Sequence, residues 1–146
     1  MIEKNLEDFS SLFDLTPQIS ILDINNNFHA ITNKLEDIVL PHDGVVTTLE
    51  NLPLNQLKIK AKRSSYDYVI ISNTFLNQEN ISTFMKIISV TLRDSGYIII
   101  LEDKEKDLDR VYDLLEEFDY GAVSSIDIFT QYNLVMGKKL HMWGMD

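Results

Sequence analysis

The sequence predicts an α/β three-layer sandwich: a mostly parallel sheet between two helix layers, ending in an antiparallel C-terminal hairpin. Helix-period and strand-type segments alternate along most of the 146 residues. The runs at 19–24, 67–72 and 97–101 are predominantly apolar without a polar alternation, as expected of strands covered on both faces. The last part changes character. Two strand-like runs, 122–129 and 132–140, are joined by Thr130-Gln131, too short a link for a parallel crossover.

Taken in order, Ile2, Leu6, Phe9 and Phe13 recur at helical spacing until Thr16-Pro17 stops the pattern before the run at 19–24. Phe28, Ile31, Leu35, Ile38 and Val39 repeat the stripe. A turn signal at Pro41-His42-Asp43-Gly44 breaks it ahead of the β-branched strand at 45–49. The least regular stretch is 51–65. Tyr66-Asp67-Tyr68-Val69-Ile70-Ile71-Ser72 then reads as a strand, and Ile81, Phe84, Met85, Ile88 and Leu92 as one helix face. The strand at 97–101 is followed by Leu108, Val111, Tyr112, Leu115 and Phe118 on a strongly acidic helix, with Gly121 suited to its C-terminal cap.

A chain of this length buries roughly 68–70% of its unfolded surface, so it needs no staple. It reads as a single domain over 1–146, with no repeat and no linker composition. The absence of cysteine excludes disulfides, thiolate metal sites and cysteine nucleophiles. A formal charge of −10 disfavours nucleic acid and anionic membranes and suits a protein partner. No run approaches a membrane span and the start is unlike a secretory signal, so a cytoplasmic location is expected.

Several short motifs and their order resemble the class I S-adenosylmethionine-dependent methyltransferase family, over roughly residues 18–140. The motifs are Leu52-Pro53 ahead of Tyr66-Asp67-Tyr68-Val69-Ile70, and Leu92-Arg93-Asp94-Ser95-Gly96-Tyr97-Ile98-Ile99-Ile100. The resemblance implies a Rossmann-like sheet with the terminal hairpin, and a cofactor bound at a glycine-rich turn after the first strand. Here that turn is Asp23-Ile24-Asn25-Asn26-Asn27, and no glycine occurs before Gly44. Asparagine tolerates positive φ, so the turn survives while its side chains fill ligand space.

The family's second anchor is an acid ending its second strand. In one alignment, the preferred one, residues 47–53 are the adenine-contacting segment, Thr48 replaces its acid, and one strand–helix unit is missing together with the ribose acid. In the other, Glu50 is the ribose acid at the end of a true second strand. Under either, Asn73 is the residue of Ser72-Asn73-Thr74-Phe75 whose amide chemistry matches the family's catalytic position. The resemblance thus implies Asp23, Asn25, Thr48 and Glu50 as cofactor-binding residues and Asn73 as catalytic. With the glycines gone, no cofactor is expected and the domain reads as a non-catalytic interaction module. The alternative is an active enzyme that binds S-adenosylmethionine in an atypical pocket.

The remaining candidates are weaker. His29, His42 and His141 are scattered without metal-site spacing, so no metal is expected. Residues 102–119 hold nine acids against three bases, the wet face of an amphipathic helix. Residues 58–63 (KIKAKR) concentrate four of the 13 basic residues, and read as a charged edge strand ahead of an RNA or acidic-protein contact. The tail carries Trp143, the only tryptophan, and is expected to pack on the body or on a partner or second subunit.

Overall fold

The structure, a computed structural model, describes residues 3–50, 55–57 and 63–140. Leu52-Pro53, most of the 58–63 stretch and the Trp143 tail lie outside the described residues.

Six strands form one sheet: β1 (Ser20–Asn25), β2 (Val45–Glu50), β3 (Tyr66–Ser72), β4 (Leu92–Asp103), β5 (Tyr120–Ser125) and β6 (Tyr132–Lys139), in the order β2-β1-β3-β4-β6-β5. The first four are parallel. β6 runs antiparallel to β4 and β5 antiparallel to β6. Both faces are covered, which is why the central strands lack alternation. Ile21, Tyr68, Ile70, Ile99 and Leu101 pack with Phe9 of α1 (Glu3–Ser10) and with Ile31, Leu35 and Val39 of α2 (His29–Val39). Their alternating neighbours Leu22, Ile24, Val69, Ile71, Ile98 and Ile100 pack on the other face. There they meet Phe84, Met85 and Ile88 of α3 (Ile81–Thr91) and Val111, Leu114 and Leu115 of α4 (Leu108–Glu117).

Asp67, the motif acid of β3, ties strand starts together. Its carboxylate accepts from Ser20 N at 2.9 Å and from Arg93 Nη1 at 2.9 Å.

Three sequence expectations are corrected. Leu92 starts β4 rather than closing the helix stripe, because the backbone of Ser64 and Ser65 donates to the Val90 and Thr91 carbonyls and draws the chain out of the helix. Gly121 does not cap α4. Asp119 takes the left-handed conformation there (φ 63), and Gly121 lies in β5, where a Cβ would come within 2.7 Å of the Leu140 side chain. The hairpin strand expected at 122–129 is β5 at Tyr120–Ser125, so the connection to β6 is longer than the two residues expected.

β2 hydrogen-bonds directly to β1, with Asn25 opposite Glu50. In a doubly wound sheet of order 3-2-1-4-5 the strand flanking the first is the second. That position matches the alignment in which Glu50 ends a true second strand, but that alignment needs a third strand within 51–65, and a missing strand–helix unit is what the preferred alignment expects. Among the described residues no further strand lies outside β2.

Candidate functional site

In an open α/β sheet ligands sit outside the carboxyl ends of the strands, at the point where strand order reverses. Here that point lies between β1 and β3. The register places Asp23 beside Thr48 and Asn25 between Glu50 and Ser72, so four candidates from the sequence meet at one edge. Asn73 follows Ser72 directly.

Asp23 and Asn25 are two residues apart and share a face, the one covered by α2. Both are fully buried. Thr32, on the first helical turn after His29, reaches back and donates its hydroxyl to Asp23 Oδ2. The same oxygen accepts from Asn25 Nδ2 at 3.0 Å and from Thr48 Oγ1 at 3.4 Å, while Asn25 Nδ2 also reaches Thr32 Oγ1 at 2.9 Å. Burial holds the Asp23 carboxyl above its ordinary range, against the lowering effect of Thr32 and its other donors.

The turn after β1 is built from asparagine where glycine would serve. Asn26 N donates to the Ser72 carbonyl at 3.3 Å, and Asn27 takes the left-handed region at φ 59. Asn73 does the same after β3, at φ 58, with its N–H on the Leu101 carbonyl at 2.8 Å. Two asparagines in a sparsely populated region, one on each side of the strand-order reversal, are a local strain that the surrounding hydrogen bonds must hold. Glu50 is exposed, and its Oε1 lies 3.8 Å from His29 Nδ1.

Two participants were missed as site residues. Thr32 is an ordinary helical threonine nine positions from its partner. Glu102, near the end of β4, is buried and accepts the Leu76 N–H at 2.7 Å, which pins the Asn73 loop; burial raises its carboxyl too. An acid ending the apolar run 97–101 was the available clue. Glu102→Gln preserves this acceptor, whereas Glu102→Ala should raise Leu76 amide exchange by about ten- to hundredfold, read by hydrogen exchange with other core amides as reference.

Among the described residues, four buried side-chain atoms lack a partner: Asp23 Oδ1, Asn25 Oδ1, Ser72 Oγ and Glu102 Oε2. All four lie at the carboxyl ends of β1, β3 and β4. An open groove of about 460 Å³, lined by none of these four residues, lies between the first turn of α2 and the β5–β6 connection. Among the described residues no group of His, Cys, Asp and Glu could hold a metal, and no helix is long and apolar enough to cross a membrane.

Asp23 and Asn25 have no exposed surface, and Asn25, Thr32 and Thr48 all donate to Asp23 Oδ2.

No protein-family model matches the sequence and no curated protein matches it. Solved structures do. A SAM-dependent methyltransferase from Aquifex aeolicus superposes with a TM-score of 0.74 at 15% identity, over 92% of this chain and 89% of that one. The Burkholderia thailandensis 1,6-didemethyltoxoflavin-N1-methyltransferase, with bound substrate and S-adenosylhomocysteine, gives 0.69 at 14% identity, over 95% and 80%. A T. thermophilus 16S rRNA methyltransferase in complex with AdoMet and guanosine gives 0.67 at 16% identity; the chain is covered over 95% but spans only 40% of that enzyme. The fold is that of the class I S-adenosylmethionine-dependent methyltransferases.

Proposed function

We propose that this chain is a methyltransferase-fold domain whose cofactor site has closed, and that it works as a non-catalytic binding module. Fold does not establish activity, so the argument rests on the site. One observation carries it: Thr32, Asn25 and Thr48 all donate to Asp23 Oδ2 at the end of β1, where the fold would bind its cofactor. A ligand entering there would have to break a buried charge-assisted network, at a cost of about 1.5–3 kcal/mol per bond to the carboxylate. The turn without glycine adds to this, because backbone amides cannot approach a ligand past three asparagine side chains.

A second reading, an enzyme with an atypical pocket, is favoured by the unpartnered Asp23 Oδ1, Asn25 Oδ1 and Ser72 Oγ together with the exposed Glu50. In that reading Glu50 takes the ribose hydroxyls and Asn73 orients the substrate.

Calorimetric titration with S-adenosylmethionine and S-adenosylhomocysteine separates the two. The closed site gives no heat and no change in melting temperature at millimolar ligand. Binding at about a hundred times the dissociation constant would add about 2.7 kcal/mol and raise Tm by about 5–10 °C, and that result sinks the proposal. The partner contact of the module is proposed at the Trp143 tail, which follows the exposed Leu140 in sequence.

A further inference from the structure

The sheet has two edges, and they are built differently. At one edge β5 breaks register with β6 between Gly121 and Ser124, and Ala122 stands at φ 51 inside that break. A bulged edge resists pairing with a further strand. At the other edge β2 runs Val45-Val46-Thr47-Thr48-Leu49-Glu50 in unbroken register with β1, with no proline, no basic residue and no positive φ. Apart from the charge of Glu50 at its end, β2 carries none of the devices that blunt an edge strand.

The backbone of β2 has a definite phase. Val45 N donates to the Ile19 carbonyl at 2.9 Å, so Val45, Thr47 and Leu49 bond to β1, while the N–H and C=O groups of Val46, Thr48 and Glu50 face outward. Among the described residues nothing pairs with them. Arg63 acts electrostatically on Lys139 of β6, four strands from β2, so the chain from 63 on leaves this edge free. Of the three exposed large hydrophobic side chains among the described residues, Leu40 lies in the turn before β2 and Val45 at its start.

A doubly wound sheet of order 3-2-1-4-5 has another strand outside the second, and among the described residues this chain has none. We propose that a second copy of the chain takes that place, β2 pairing antiparallel with its own symmetry mate across a two-fold axis and joining the two six-stranded sheets into one. Outward-facing residues must meet outward-facing residues, so Thr48 lies opposite Thr48 of the other copy and Val46 opposite its Glu50. Threonine pairs and β-branched neighbours suit such a ladder. The charge pattern favours a copy over a basic peptide, which would find a single carboxylate along the strand. A net charge of −10 opposes self-association in general. Antiparallel pairing answers it locally, because it holds the two Glu50 residues four positions apart, about 14 Å, beyond the screening length of about 8 Å. The two-fold contact closes on itself, and the broken β5 edge gives the dimer no route to grow. This interface goes beyond the closed cofactor site and does not rest on it.

A six-residue strand pair is a small interface, so sedimentation of the full chain from about 10 to 500 μM should show a species of twice 16.9 kDa with a dissociation constant of about 10–100 μM. Across that range hydrogen exchange should slow about threefold at the Val46, Thr48 and Glu50 amides and stay unchanged at Val45, Thr47 and Leu49. Val46→Pro removes an N–H that β1 does not use, and should weaken the dimer at least about tenfold. Thr47→Glu leaves every backbone donor in place and sets two carboxylates about 7–8 Å apart on diagonal positions, with the same expected loss. A chain that stays monomeric at the top of the range, an assembly larger than a dimer, or a dimer that both variants leave intact would each overturn the proposal. The exchange pattern of the parent chain decides the surface even where a variant fails to fold: a dimer without slowing at those three amides places the contact elsewhere, such as the Trp143 tail, and overturns it too.

Discussion

Thr32→Val should destabilise the protein by about 3 kcal/mol at pH 7, a fall in Tm of about 10 °C, although it exchanges groups of nearly equal volume. Thr32 is half-buried and supplies the strongest donor to a carboxylate that has no contact with solvent. Removing the hydroxyl leaves Asp23 Oδ2 with Asn25 and a long bond from Thr48, and Oδ1 still without a partner. An uncompensated buried charge costs more than a lost neutral bond.

The pH dependence gives the sign. The folded Asp23 carboxyl titrates above its ordinary value of 3.8, so its contribution to stability is fully present below that value. It is lost as pH rises through the folded value. Thr32→Val withdraws a group that favours the charged form, so its cost should be larger at pH 7 than in acid. Asp23→Asn removes the charge while keeping an acceptor for Thr32 and Asn25. It should flatten this pH dependence and shrink the Thr32→Val penalty to about 1 kcal/mol in the double variant. Urea unfolding midpoints of the four proteins across acid to neutral pH make the comparison. Equal Thr32→Val penalties with Asp23 and with Asn at that position would show that the hydroxyl does not serve the carboxylate.

The sequence revealed the layers more readily than the site. Strands β1, β3 and β4 were readable because helices cover both faces, which removes the polar alternation and leaves runs such as Ile98-Ile99-Ile100. Helix faces were readable because each buries one stripe. Ends were less so: Leu92 carries the helix period yet belongs to β4, since hydrogen bonds from Ser64 and Ser65, distant in sequence, decide where the helix stops. Gly121 looked like a cap because glycine suits caps, while the packing of Leu140 against it is a tertiary fact. At the site, Asp23, Asn25, Thr48 and Glu50 were implied by the resemblance to the methyltransferase family, and the structure brings those four to one edge. What could not be read was how they use one another. Thr32 turns Asp23 from a free acceptor into an occupied one, and no local spacing encodes that contact.

Lys139→Met should cost about 3 kcal/mol, close to the Thr32→Val effect but at the opposite end of the sheet. Lys139 lies on β6 with its side chain almost wholly buried, and its Nζ donates to the Ser89 and Leu92 carbonyls, each at 2.7 Å. Those carbonyls belong to the end of α3 and the start of β4, where the chain leaves the helix and hydrogen-bond partners are scarce. Methionine fills the volume of the lysine stem but donates nothing, so two buried carbonyls lose their donor at once. The loss falls short of the sum of two full penalties because the variant also relieves a buried ammonium. Burial holds that amine below its ordinary 10.5, with Asp94, whose Oδ1 lies 4.0 Å away, opposing the shift. A lowered amine pKa means that the fold is penalised while the lysine is charged, and that the penalty fades as pH rises from the folded value towards 10.5. Lys139→Met should therefore differ most from the parent protein in alkaline solution, where the neutral amine still donates to both carbonyls at no charge cost. Thermal melts from neutral to alkaline pH would show the gap widening. A variant that melts within about 2 °C of the parent throughout would mean that water replaces the ammonium at both carbonyls.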